Sequence, residues 1–183
     1  MTTPAIDPIR SRILEAAAYG LSNRIIAGGA SIRYTPEGDF AISSTGYYYT
    51  MHQAYRDARA ASSMREYPSC NLFIEGETCN NSSNVQLEQN QSLLHNSFIL
   101  RIDVFVNDKE DPQLARDRIL ADVQRYLGIN KHIPDSAGAQ TCFTCYYDSS
   151  DPWGIDKEKP NTGITIRYKV WYRQKLTDPT TGG

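Results

Sequence analysis

Two alternating segments, FILRIDVFV at 98–106 and ITIRYKVWYR at 164–173, constrain this chain more than any other feature. Successive side chains of a β-strand point to opposite faces, so each segment sorts its residues into two sets. In the first, Phe98, Leu100, Ile102, Val104 and Val106 face a core, while Ile99, Arg101, Asp103 and Phe105 face away. In the second, Ile164, Ile166, Tyr168, Val170 and Tyr172 share the apolar face. Thr165, Arg167, Lys169, Trp171 and Arg173 share the other, which calls for solvent or another chain as its partner.

Helical signals surround these strands. Asp7 as cap, Pro8 in the first helical position and the series Ile9, Ile13, Ala17, Leu21, Ile25 predict a first helix closed by Gly28-Gly29. SIRYTPEGDFAIS at 31–43 reads as two short strands about a Pro-Glu-Gly-Asp turn. Thr50 and Gln53 form a capping box for a second helix from Met51 to about Ser62. After Pro68 the segment SCNLFIEGETC begins a strand, with Leu72 and Ile74 on one face and Phe73 and Glu75 on the other. A long polar loop follows through Leu94. Asp111-Pro112 opens a further helix with the stripe Ala115, Ile119, Val123, Leu127, widened by Leu120 and Tyr126 and closed by Gly128. TCFTCYY at 141–147 is a strand, and 148–162 is a second long polar loop. The resulting order is helix, hairpin, helix, strand, strand, helix, strand, strand. It predicts an α/β (α+β) fold: one domain over 1–176, a mixed, mainly antiparallel sheet with helices packed on one side and long surface loops, and a flexible tail at 177–183.

Composition narrows the function classes. A length of 183 residues suits one domain, and a net charge of −2 provides no global basic field for nucleic acid or a membrane surface. No apolar run reaches the roughly 18 residues of a spanning helix, and MTTPAIDPIR lacks a signal-peptide core, so the chain is expected to fold in a cytoplasm. Twelve tyrosines suit interfaces as well as half-exposed sheet faces.

Residues with chemical potential do not gather into a site. Cys142 and Cys145 form a CxxC, the spacing of a zinc knuckle or redox pair, but a strand would put the two sulfurs on opposite faces and the motif has no Gly or Pro turn. Cys70 and Cys79, separated by eight residues, do not make a knuckle either. The expectation is buried or half-buried free thiols and no metal. His52 lies at a helix start, and His95 and His132 lie in polar loops, where solvated or hydrogen-bonded roles are expected. Asp103 and Glu75 are isolated strand carboxylates suited to surface ion pairs. Tyr47-Tyr48-Tyr49 beside Arg56 and Arg59 could stack single-stranded nucleic acid, or pack locally or on a neighbouring subunit. No phosphate loop, GxSxG or HExxH is present. No catalytic residue and no cofactor is expected.

The order of elements, however, resembles a known family. Tyr67-Pro68 leads the strand through Ile74 to Gly76-Glu77; FILRIDVFV feeds Asp111-Pro112 and a long helix; and Ile164 through Arg173 closes the chain on Tyr-Arg. This layout is similar to the tail terminator (tail completion, head–tail joining) proteins of long-tailed bacteriophages. The resemblance implies a small α/β domain that forms a hexameric ring, ends tail-tube polymerisation and joins the tail to the head connector, without catalysis or cofactor. It implies a virion location in the tail or neck, with synthesis in the host bacterial cytoplasm. The implied partners are other copies, the tail tube protein, a sheath protein where one exists, and the connector, with the genome passing through the ring. No membrane and no direct sequence-specific nucleic-acid contact is implied. The polyaromatic segment at 47–62 and the loop at 148–162 depart from the pattern, as elaborations or as marks of another neck, adaptor or tail-tube-like protein. A zinc- or nucleic-acid-binding protein is the alternative of a different class. Expected interface residues are Arg167, Lys169, Trp171 and Arg173 on the last strand, Tyr47, Tyr48 and Arg56, and Asp151 and Trp153. An acidic loop of Asp148, Asp151, Asp156 and Glu158 is a possible match for a neighbour's basic patch.

Overall fold

The computed structural model describes residues 8–27, 46–56, 66–79, 93–108, 110–154 and 161–175. In chain order these form α1 (Ile9–Arg24), β1 (Gln53–Tyr55), β2 (Ser69–Cys79), β3 (Leu93–Asn107), α2 (Pro112–Ile129), β4 (Thr144–Trp153) and β5 (Asn161–Lys175). The hairpin expected at 31–43, the Gly28-Gly29 stop, Asp7, Arg59, Asp156, Glu158 and the tail at 177–183 lie outside the described residues.

The strands make one mixed sheet in the order β1-β2-β3-β5-β4, in which β1–β2 is parallel and the other pairs are antiparallel. β3 and β5 pair along their whole lengths, from Leu93 opposite Lys175 to Asn107 opposite Asn161. This register sets Phe98, Leu100, Ile102 and Val104 beside Val170, Tyr168, Ile166 and Ile164, so the two apolar sets fuse into one face. Both helices cover that face, and Ile13, Leu21, Ile119, Val123 and Leu127 join it in a single core. Each such aliphatic side chain contributes about 1.5–3 kcal/mol on burial. Close approach of the helices depends on Gly20, where a Cβ would stand 1.7 Å from the Tyr126 hydroxyl.

The caps divide. Asp111 accepts a hydrogen bond from the Leu114 N–H at 2.9 Å with Pro112 at the start of α2, as the sequence predicts. In α1, Pro8 itself occupies the N-cap position without a side-chain cap bond, and the helix stops at Arg24 because Ile25 turns extended into the core. Gly128 lies inside α2, which runs one residue further to Ile129.

Three expectations need correction. The helix expected from Met51 is absent among the described residues of that segment, where Gln53–Tyr55 forms an edge strand paired with Ser69, Cys70 and Asn71. The Thr50 hydroxyl accepts from the Ala27 N–H at 3.0 Å, and Met51 N–H donates to Ile25 at 3.0 Å, so the cap serves tertiary contacts. The polar stretch before residue 98 ends sooner than expected, since β3 begins at Leu93 and carries His95 in a strand. The loop expected from 148 is strand as far as Trp153, held because Trp153 packs edge-on against Phe105 at 5.0 Å. β4 is a sheet edge, and it carries a bulge at Asp148, then Asp151 and Pro152.

Candidate functional site

The second face of the sheet carries the candidate site, and its side chains form two zones. In one, charges alternate across four strands, from β2 to β4. Arg101 on β3 donates from Nε and Nη2 to the Asp103 carboxylate at 2.8 and 2.7 Å, and from Nη1 to Glu75 on β2 at 2.9 Å. Arg167 on β5 bridges Glu75, at 3.5 Å, and Asp151 on β4. Thr165 donates to Asp103 at 2.7 Å and accepts from the Trp153 indole at 3.1 Å. Asp103 is therefore buried, 8% exposed, and not the surface group expected of it. Arg167, Asp151 and Trp153, three of the expected interface residues, are tied to their own subunit.

The other zone lies at the β4–β5 end, where Lys169, Trp171 and Arg173 meet Phe143 and Tyr146. Lys169 sits 5.2 Å from the Trp171 ring and Arg173 5.0 Å from the Phe143 ring. Trp171 donates from its indole to the Tyr146 hydroxyl at 3.3 Å. Phe143 is 60% exposed and Tyr146 46% exposed. Sequence reasoning missed both aromatics. Their signal was the TCFTCYY run itself, where aromatics alternate with core cysteines.

Tyr47, Tyr48 and Arg56 lie apart from this face, on the helical side. Buried Asp122 of α2 accepts N–H bonds from Tyr48 at 2.8 and 3.0 Å and from Tyr49 at 2.8 Å. Burial raises its pKa to about 6, against the lowering pull of those bonds and of Arg125. Tyr47 and Tyr49 pack on the core, Arg118 stacks 5.6 Å from the Tyr48 ring, and Arg56 pairs with Glu15 at 3.8 Å. The local packing of the tyrosine run is thus what the structure displays.

The potential chemical groups are engaged or buried. Cys142 precedes β4 in a bend, so both it and Cys145 turn into the core, not to opposite faces. Desolvation raises the pKa of both, with Cys145 at about 12, which keeps the thiols protonated and unreactive at neutral pH. Cys70 is buried likewise. His132 Nδ1 contacts the Phe143 carbonyl at 2.6 Å, and His52 lies 3.5 Å from Glu66. Among the described residues no group of three or more His, Cys, Asp or Glu side chains is placed to hold a metal ion, and no helix is long and apolar enough to cross a membrane. A bulge at Gly76, φ 47°, shifts the alternation of β2 and sends Glu77 to the helical side, where it pairs with Arg10 at 3.0 Å and with the Tyr172 hydroxyl. The sequence matches no protein-family model, and no curated protein is significantly similar to it.

Proposed function

We propose that this chain is a structural subunit of a phage tail, a terminator that assembles into a six-fold ring at the head-proximal end of the tail tube. The architecture carries the reading. Tyr67-Pro68 leads β2, Gly76-Glu77 breaks it at a bulge, β3 passes through the Asp111 cap into α2, and β5 ends the described fold. This is the order on which the family resemblance rests, now joined into one sheet with both helices on one face. Support also comes from the far face of that sheet, where Lys169, Trp171 and Arg173 meet the exposed rings of Phe143 and Tyr146 in an aromatic and cationic corner. Such a corner suits binding to a partner, and aromatic and arginine side chains dominate binding energy at interfaces. The ring would stop tube polymerisation and offer the connector a docking surface, by shape and contact alone.

Light scattering of purified protein, alone and with assembled tail tubes, tests the reading. The expected result is a species near six times the 20.6 kDa chain mass, free or bound at one tube end. A chain that remains monomeric and has no affinity for tube or connector would overturn it.

A further inference from the structure

The aromatic and cationic corner contains two adjoining hollows. One, of about 330 Å³, is lined by Arg12, Arg173, Gln140 and Thr141. The other, of about 280 Å³, is lined by Phe143, Tyr146, Trp171 and His95. Phe143 and Arg173 border both, and among the described residues no carboxylate lines either. The Nε of Arg173 is buried without a hydrogen-bond acceptor. The Arg173 guanidinium at the border of both hollows favours an incoming oxyanion, and exposed rings beside it favour an incoming aliphatic group.

An element of that chemistry stands at the opposite end of the molecule. Leu114 and Asp117 stand one turn apart at the start of α2, Glu110 lies just ahead of the Asp111 cap, and all three are exposed, Leu114 at 41%. The corner adjoins the His95–Arg173 pair of β3 and β5, whereas α2 begins just beyond the Asn107–Asn161 pair. At about 3.3 Å per residue, the strand between these pairs spans roughly 40 Å. One copy cannot bring its own two surfaces together.

We propose that they are the two halves of a contact between copies. The Glu110 and Asp117 carboxylates of one copy reach Arg12 and Arg173 of the next, and Leu114 enters the groove between Phe143 and Trp171. The contact is heterologous and repeats head to tail, closing a ring where the rotation fits. It rests on the ring reading and names the faces that reading requires.

Charge reversal tests it. Asp117→Arg and Arg173→Glu are each expected to weaken assembly at least tenfold by light scattering, with unchanged thermal melting. A one-to-one mixture is expected to recover assembly, because alternating copies pair reversed faces with each other and natural faces with each other. Leu114→Ser weakens the same contact without altering charge. If wild type assembles and the single variants assemble equally well, or the folded variants fail to recover on mixing, the contact is wrong and the ring reading stands. If wild type does not assemble, alone or on tubes, both fall. Should Arg173→Glu fail to fold, Arg12→Glu with Glu110→Arg is the equivalent pair and is judged by the same outcomes.

Discussion

The indole of Trp153 on β4 occupies the space that a side chain on Gly163 of β5 would need. A Cβ on Gly163 would stand 2.3 Å from two indole carbons and 2.5 Å from the Val104 carbonyl oxygen. Trp153 rests there with one edge against Phe105 and its N–H on Thr165. Gly163→Ala is therefore expected to displace the indole and destabilise the fold by about 1–3 kcal/mol, the range for overpacking. Urea unfolding measures the change, and loss of Trp153 packing should alter its fluorescence in the same variant.

Asp122 ties stability to pH. Burial, the largest influence on it, raises its pKa to about 6 from the ordinary 3.8. The folded chain thus holds this proton more tightly than the unfolded chain does. The resulting stabilisation is fully present below about 3.8 and is lost as pH rises through about 6, amounting to roughly 3 kcal/mol at 1.36 kcal/mol per unit. Asp122→Asn keeps an oxygen for the Tyr48 and Tyr49 N–H groups without the ionisation. Unfolding free energies from pH 4 to 7 should show wild type losing stability relative to Asp122→Asn as pH rises. Asp122→Ala, which orphans both N–H groups, should be less stable than Asp122→Asn at every pH.

The two carboxylates bound to Arg101 should differ in weight. Asp103 is buried and accepts from both Arg101 and Thr165, so Asp103→Ala strands two donors and is expected to cost about 1–3 kcal/mol. The Glu75 side chain is 37% exposed, and Glu75→Gln is expected to cost less than about 1 kcal/mol. Chemical denaturation of the two variants under one set of conditions checks the ranking. Equal losses would mean that Thr165 adds nothing to the Asp103 cluster.

Local pattern made the central elements legible. Strict alternation marked β3 and β5 because one face of each is buried, and the Asp111-Pro112 cap marked α2 because both of its signals act within a single turn. Long-range partners hid the rest. Thr50 carries a helix-capping signature, but Ala27 uses its hydroxyl. Asp148 through Trp153 looks polar and loop-like until Phe105, distant in sequence, gives the tryptophan a place to pack. Asp122 lies three residues beyond Ile119 on the apolar stripe of α2, and a carboxylate there was a readable clue to a buried acceptor. Its partners, the Tyr48 and Tyr49 amides, could not be read from the sequence. Among the expected interface residues, Lys169, Trp171 and Arg173 converge on one corner, whereas the ion pairing of Arg167 and Asp151 was not visible from strand alternation alone.

The border strand β4 has a consequence for crowded conditions. Pro152 has no amide hydrogen to offer, and the displaced Asp148 and charged Asp151 disrupt the row of groups that a stranger's backbone would need. Sheets of separate molecules therefore do not zip into continuous fibrils along this side. Copies crowded together are thus discouraged from joining backbone to backbone along β4.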